Sequence, residues 1–343
     1  DGRSYPVRAL KSLTPADLEG IGLVFLCVSK ESIPTVLQQL AALKPAHAGL
    51  LIDTPVLRFK HLRHARHLRA FRTVSVAEDC STLPWLDVVR ASIAAGDIGE
   101  LRSAVFSQSA WAYHGVAMAK AVLGSGRVRS GRRRKHGGEF ASRRLVVGGK
   151  EALFLEPRDY ANGRLAIVGT KGVISDYPMK AHGALRLESI IESGACLGFR
   201  VGTHEVRLDE AEASLMQEVP EAASATALME AAKPVGFLRL LRALHAGEPG
   251  YPLADGLDDM IIDYHLEKVG RYAANPFTSS RSPMGRLLMG TGPLYRSAVP
   301  FRNQSCGNGS SAALNRRSAS SGSGRTWPNK TSKPPLRWGP RKA

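Results

Sequence analysis

The chain has 343 residues, with 47 Lys and Arg against 30 Asp and Glu, which gives a formal net charge of +17 at pH 7. Its 43% hydrophobic content is enough for a sizeable core and excludes wholesale disorder. The length predicts two domains of roughly 100–200 residues each. The longest uncharged apolar run, from Gly20 to Val28, is far shorter than the ~20 residues that cross a bilayer, so we expect no membrane partner.

The cysteines and the first residues predict a location. We expect no secretory leader, because no charged segment followed by an apolar one opens the chain. The four cysteines lie far apart and form no Cys-x-x-Cys motif, which excludes a disulfide scaffold and a zinc ribbon and predicts a reducing cytoplasm. They are Cys27, Cys80, Cys196 and Cys306.

The positive charge is concentrated at the end of the chain. Residues 281–343 hold 12 Lys and Arg and no acid, whereas the other 280 residues hold 35 basic and 30 acidic residues. Ser, Gly, Pro and Arg dominate there without any periodicity, so we predict a disordered basic tail over 276–343. A natural basic arm and a frameshifted end both fit this composition. Since the body carries only about +5, we do not expect a nucleic-acid partner.

Strands and helices alternate in the first part of the chain. The continuous apolar run Ile21–Val28 predicts a strand buried on both faces, and Ile33–Leu43 has helical spacing. Short strands at Ala48–Ile52 and Thr73–Val76 enclose a basic helix, and a helix over Leu83–Ala95 follows. This rhythm predicts an α/β, Rossmann-like parallel sheet domain over 1–98. We expect this domain to be incomplete, for a reason that a family resemblance supplies.

The second part groups strands before helices. Strands are predicted at Leu101–Ser107 and from Arg143 to Asp176, with a helix over Tyr113–Leu123. Gly126–Gly138 reads as a loop, and the turn between Val168 and Val173 has glycines that we interpret as positive-φ positions. Separate helices follow at 208–218, 222–231, 235–246 and 257–272. We predict an α+β domain with an open, mostly antiparallel sheet over 99–275.

Five short segments stand out by their order. The apolar strand Val24–Ser29 precedes Asp53-Thr54-Pro55 at the end of the next strand. A helix then runs through Gly96-Asp97-Ile98-Gly99 into a strand, Tyr113-His114-Gly115-Val116 opens another helix, and Gly163–Gly172 contains a strand and a turn. In this order the chain resembles the family of glucose-fructose oxidoreductase, inositol dehydrogenase and rhizopine-catabolism proteins (Gfo/Idh/MocA), over roughly residues 5–275.

Three departures accompany the resemblance. Family members hold the cofactor pyrophosphate on a Gly-x-Gly-x-x-Gly turn at a helix N-terminus, and no such motif precedes Val24, so we expect the first β-α-β unit of the family to be absent here. Thr54 stands where the family has a Lys, and a hydroxyl carries no positive charge. Ala117 stands where the family often has an Asp, three residues after the His.

The resemblance implies an NAD- or NADP-dependent oxidoreductase that acts on a sugar, a polyol or a related hydroxylated metabolite. It implies His114 as the catalytic base, Tyr113 against the substrate, and a dimer or tetramer closed over the open sheet face. Cofactor contacts are expected at Val28, Ser29, Asp53, Thr54 and Pro55. The alternative is a non-catalytic sensing or partner-binding relative that has lost its cofactor, in which His114 only caps or packs its helix.

Other charged groups have simpler interpretations. His61, His64 and His67 share one face of a basic helix without an acid or a Cys, so we predict no metal site. Asp259 and Asp263, four residues apart, are interpreted as a solvated acidic helix face. The cluster Arg127–Lys150 is interpreted as a solvated loop, with a phosphate or nucleotide contact as the alternative.

Overall fold

A computed structural model describes residues 7–110, 112–124, 127–216, 218–219, 223–248 and 250–274. The predicted tail over 276–343 lies outside these residues. No helix within the described ranges combines the length and the apolar character needed to span a membrane.

The described residues form fourteen strands in two sheets. In chain order they are β1 (Leu23–Leu26), β2 (Gly49–Asp53), β3 (Thr73–Ala77), β4 (Leu101–Ser107), β5 (Val128–Gly137), β6 (Phe140–Val147), β7 (Lys150–Glu156), β8 (Arg164–Gly169), β9 (Val173–Ser175), β10 (Ala184–Glu192), β11 (Ala195–Val201), β12 (His204–Arg207), β13 (Tyr251–Pro252) and β14 (Arg271–Ala273).

Six α-helices and four 3-10 helices lie between the strands. The α-helices are α1 (Ile33–Ala42), α2 (Trp85–Ala95), α3 (Ala112–Leu123), α4 (Glu210–Leu215), α5 (Ala225–His245) and α6 (Leu253–Val269). The 3-10 helices are Leu10–Ser12, Pro15–Leu18, Phe59–Ala70 and Asp79–Ser81.

The fold class predicted from the sequence is confirmed. The first sheet has the order β1-β2-β3-β13, and its first three strands are parallel. The second has ten strands in the order β12-β11-β10-β9-β8-β4-β7-β6-β5-β14 and is mostly antiparallel, with parallel pairs only at β4–β7 and β9–β10 among the described strands. Strand β13 comes from the second half of the chain but pairs with β3 of the first sheet.

Two hydrophobic clusters form the core. One surrounds the first sheet and joins Leu37 of α1 to Leu240 of α5 and Met260 of α6. The other lies on the inner face of the large sheet, where Trp85 of α2 packs in the same cluster as Phe154 of β7. Helices α5 and α6 supply residues to both clusters, which ties the two sheets together.

Two strand predictions are corrected by the structure. Strand β1 is an edge strand with Leu23 39% and Phe25 48% exposed, so it is not buried on both faces. The alternation of exposed and buried positions was hidden by a sequence that is apolar throughout. Residues 128–137, interpreted as a loop, form β5 and pair with β6, with a register shift near each end of the strand. Here the strand was hidden by its many arginines, because arginine is a mostly exposed residue type.

Helices and turns also differ from expectation. The two helices predicted at 222–231 and 235–246 are the single helix α5, which continues through Pro234. Gly169 and Gly172 close the turn after β8 by a hydrogen bond at 2.9 Å, but neither has a positive φ. They are required for space: a Cβ on Gly169 would lie 2.1 Å from the Ile98 carbonyl oxygen.

Candidate active site

A buried carboxylate lies at the carboxyl end of the parallel sheet. Strand β3 ends at Ala77, and Glu78 follows with only 1% of its surface exposed. Its side chain accepts a hydrogen bond from the backbone N–H of Cys80 at 3.2 Å, which starts the 3-10 turn Asp79–Ser81. A buried charge is costly unless it is paired. The chain must therefore bring a cation or a donor to this position.

His114 supplies that partner. It is the third residue of α3, and its Nδ1 lies 2.9 Å from both Glu78 carboxylate oxygens. The imidazole is 17% exposed, against 2% for the Glu78 side chain. Burial lowers the pKa of His114, but the Glu78 charge and its hydrogen bond more than offset burial, so that the pKa of His114 is raised above its ordinary value.

More charged groups surround this pair. Burial, followed by the Glu78 charge, raises the pKa of Asp79, and burial raises the pKa of the Cys80 thiol. The Lys233 ammonium of α5 is close enough to lower the pKa of both Asp79 and His114. Lys233 is held by Glu230, whose two oxygens lie 3.0 Å from its Nζ.

Helix α5 reaches the site through a glycine. A Cβ on Gly236 would lie 2.6 Å from the Asp79 carbonyl oxygen, so only glycine allows this approach. The Thr82 hydroxyl donates to the Gly236 carbonyl at 2.9 Å and holds the helix against the turn. This contact places Lys233, one turn earlier on α5, beside the His114 group.

Tyr113 and Thr54 meet beside His114. The Tyr113 ring lies 4.4 Å from the His114 ring, centroid to centroid, and Thr54 is close enough to the Tyr113 hydroxyl to lower its pKa. Burial raises the pKa of Tyr113, so this hydroxyl stays protonated. Because Thr54 follows β2 and Glu78 follows the adjacent parallel strand β3, these side chains share one edge of the sheet. Open α/β sheets bind ligands at this edge.

The remaining residues expected at the cofactor lie at or just after the ends of β1 and β2. Asp53 ends β2 and its Oδ2 accepts from Lys30 Nζ at 2.7 Å, while Pro55 is half-buried. Val28 is half-buried after β1, and the exposed Ser29 hydroxyl lies 2.7 Å from that of Ser32. No contact that the structure describes joins Val28 or Ser29 to the His114 group.

These residues fit only part of a dinucleotide. Asp53, Thr54 and Tyr113 offer polar groups for a nicotinamide ribose at the sheet edge. In the described residues, however, the turn between β1 and α1 contains no glycine, and α1 begins Ile33-Pro34, where the proline has no N–H to donate. A pyrophosphate has no glycine cradle at this turn.

The cluster has the donors of a metal site. One donor atom from each of Glu78, Asp79, Cys80 and His114 lies within 4.8 Å of the others, so a single divalent cation could reach them all. His114 Nδ1 is already engaged by Glu78, which makes the pair an acid–base unit as it stands. The His61, His64 and His67 rings, in contrast, form a row with centroids 6.4 and 5.9 Å apart.

Sequence reasoning missed Glu78 and Lys233. An acid directly after a buried parallel strand was a usable signal for Glu78, since that position lies at the ligand-binding edge. No local pattern marks Lys233, which reaches the site from a helix more than one hundred residues further along the chain.

Comparisons with known proteins give fold likeness only. No protein-family model and no curated protein matches the chain. A scyllo-inositol dehydrogenase of Lactobacillus casei is 12% identical over 76% of this chain and 82% of its own, with a TM-score of 0.49. An inositol dehydrogenase homolog of Azotobacter vinelandii is 14% identical over 77% of this chain and 82% of its own, with a TM-score of 0.48. An aldose-aldose oxidoreductase of Caulobacter crescentus is 10% identical over 76% of this chain and 82% of its own, also with a TM-score of 0.48. At these values the likeness carries no argument about function.

Proposed function

We propose that the chain is an oxidoreductase of sugars, polyols or related hydroxylated metabolites, in which His114 takes the hydroxyl proton of the substrate. The observation that carries the proposal is the His114–Glu78 pair, at 2.9 Å, at the carboxyl edge of the parallel sheet. An imidazole whose pKa is set by a buried carboxylate is suited to proton transfer near neutral pH.

In the proposed reaction, Nε2 of His114 is the nitrogen that takes the proton. Glu78 as a carboxylate can only accept, so the neutral imidazole carries its proton on Nδ1 and donates it to Glu78. Nε2 is then left with a lone pair for the substrate hydroxyl. Glu78 is the positioning residue, because it fixes the ring and stabilises the imidazolium that forms. The Tyr113 and Thr54 hydroxyls and the Lys233 ammonium are the groups that would meet the substrate oxygen.

The resemblance adds NAD or NADP, which would accept a hydride when bound. Since the described residues lack a pyrophosphate cradle at the β1–α1 turn, we derive no step through the cofactor, and its binding is the quantity to measure. Titration with NADH and NADPH, followed by nicotinamide fluorescence, tests this directly. Binding with a micromolar Kd would show that a dinucleotide site is present.

Substitution of His114 tests the proton transfer. His114→Asn should lower the rate of polyol oxidation by about 10²-fold or more, the usual contribution of a general base. The matched control is His204→Asn, whose imidazole pairs with Asp97 at 2.9 Å, and which should leave the rate unchanged. Equal rates for the two variants would exclude His114 as the base.

A non-catalytic relative is the second candidate. Thr54 in place of a cation, and an Asp53 carboxylate already bound to Lys30, favour it. If the chain is such a relative, calorimetry should show that it binds a sugar or polyol and that Tyr113→Ala loses this binding. Neither dinucleotide should bind.

We also propose that the chain forms a homo-oligomer through the outer face of β4, β7 and β8 in the large sheet. Half-buried apolar side chains on β4, β7 and β8 share that face; they are Val105, Leu153 and Ala166. A monomeric mass in light scattering at micromolar concentration would contradict this proposal.

A further inference from the structure

Three arginines stand side by side across three strands at one edge of the large sheet. Arg132 of β5 is directly opposite Arg144 of β6 and directly opposite Arg271 of β14. Residues paired in this way point to the same face, and neighbouring strands lie about 4.8 Å apart. All three side chains belong to exposed residues. We call Arg144, Arg132 and Arg271 the arginine row.

Arginines on the opposite face of the same strands form ion pairs with carboxylates of this protein. Arg133 Nε donates to Glu156 Oε2 at 3.0 Å, and Arg143 Nη2 donates to Glu267 Oε2 at 3.1 Å. Arg143 also pairs with Asp263. Every arginine on this inner face of the β5–β6 pair has at least two carboxylates.

Carboxylates of the described residues offset almost none of the positive charge of the arginine row. Arg144 reaches Glu151 at 3.5 Å, with both side chains more than half exposed, and such a surface pair contributes little. The described residues give Arg132 and Arg271 no ion-pair partner. Like charges placed directly opposite each other in a sheet destabilise it, so the row has a cost in the free protein that an external anion would remove.

Further groups extend this face along the hairpin. Arg134 is exposed on this face of β5 beyond the arginine row. His136 lies 2.8 Å, Nε2 to Oγ, from Ser142, and the Phe140 ring at the end of the hairpin is 56% exposed. A row of guanidinium groups that ends in an exposed aromatic ring combines phosphate binding with a surface for base stacking.

We propose that the outer face of the β5–β6–β14 edge binds a single-stranded nucleic acid, with its phosphates along the arginine row and a base on Phe140. Guanidinium groups bind phosphate through two parallel hydrogen bonds, which suits a row of exposed arginines. The aromatic ring favours a nucleic acid over an inorganic polyphosphate. The proposal is independent of the His114 site and goes beyond the proposed oxidoreductase function.

The test is fluorescence anisotropy of a labelled oligo-dT with the full chain. The triple variant Arg132→Gln, Arg144→Gln, Arg271→Gln removes three charges from the arginine row. The matched control, Arg186→Gln, Arg200→Gln, Arg207→Gln, removes three exposed charges from β10–β12 of the same sheet, where each arginine has a Glu partner. The basic residues after position 280 stay in both variants.

We expect the triple variant of the arginine row to bind at least about tenfold more weakly, and the control variant to bind nearly as the wild type does. The slope of log K against log salt should fall by about two, at roughly 0.7 per lost phosphate contact on a single strand. Phe140→Ala should weaken binding by at least about fivefold through lost stacking. Equal weakening by the two triple variants would overturn the site.

Two further measurements separate the outcomes. If inorganic polyphosphate competes at equal phosphate concentration and Phe140→Ala has no effect, the partner is not a nucleic acid and the proposal fails. Thermal unfolding should show the same or a higher Tm for the triple variant of the arginine row, because repulsion is removed. A lower Tm would mean that the arginines serve the fold instead.

Discussion

At the scale of single residues, the His114–Glu78 pair determines the electrostatics of the site. Glu78 is almost fully buried, so its charge acts on His114 with little screening by water. The raised pKa of His114 means that folding favours its protonated form. This contribution to stability is fully present below the ordinary His pKa of about 6.5 and is lost as the pH rises through the higher pKa of the folded state.

Glu78→Gln should reverse that shift. Burial would then act on His114 with little opposition, so the pKa of its imidazole should fall, and the associated loss of stability with rising pH should disappear. NMR titration of the histidine ring protons measures this. Asp97→Asn, the matched control, removes the ion pair between Asp97 and His204 and should leave the His114 titration unchanged. An unchanged His114 titration in Glu78→Gln would contradict the role given to Glu78.

At the scale of elements, α3 and α6 are joined by buried charges. Lys120 Nζ lies 2.6 Å from Asp259 Oδ1 and 3.1 Å from Asp255 Oδ1, and the Tyr251 hydroxyl donates to Asp259. Asp259 is 2% exposed, so its predicted position on a solvated helix face was wrong, as it was for Asp263, which pairs with Arg143. Four-residue spacing correctly placed both on one face, but that face is the one turned to the sheet.

Asp259→Asn should destabilise the protein by about 3 kcal/mol, because it leaves the buried Lys120 charge with one partner at a half-exposed position. Chemical denaturation provides the measurement. Asp255→Asn is the control; its side chain is 45% exposed, and its loss should cost less than about 1 kcal/mol. Equal losses in the two variants would show that Asp259 is not the principal counter-ion.

At the scale of the whole molecule, the first sheet depends on the second half of the chain. β13 pairs with β3, and Leu240, Tyr251, Leu257 and Met260 complete the cluster around this sheet. The domain boundary at residue 98, inferred from the sequence, remains a prediction. What the structure adds is that residues before this boundary share a core with residues after it.

A fragment of residues 1–98 should therefore fail to unfold cooperatively, since it leaves the apolar surface of Leu51 and Val76 without part of its cover. A fragment of residues 1–274 should show one cooperative transition. Urea denaturation followed by far-UV circular dichroism distinguishes them. A cooperative transition in the short fragment would show that the predicted first domain folds alone.

Local sequence pattern was enough to predict much of the fold. The β-α rhythm, the helix over 113–123 and the strand-ending Asp53-Thr54-Pro55 follow from short-range periodicity and turn chemistry, and the sequence places Tyr113 and His114 at a helix start. These features depend on neighbours within a few residues, where sequence determines structure most directly.

The partners of those residues were decided by tertiary structure. His114 meets Glu78 across 36 residues, Lys233 arrives from α5, and the arginine row exists only because β14 and β6 flank β5. Strand order and helix packing set these contacts, and both depend on the burial of the whole apolar surface at once. The sequence alone showed that most of the excess positive charge lies in the residues after 280. Only the sheet showed that Arg132, Arg144 and Arg271 stand together on one face, while the arginines on the opposite face of β5 and β6 are paired with carboxylates.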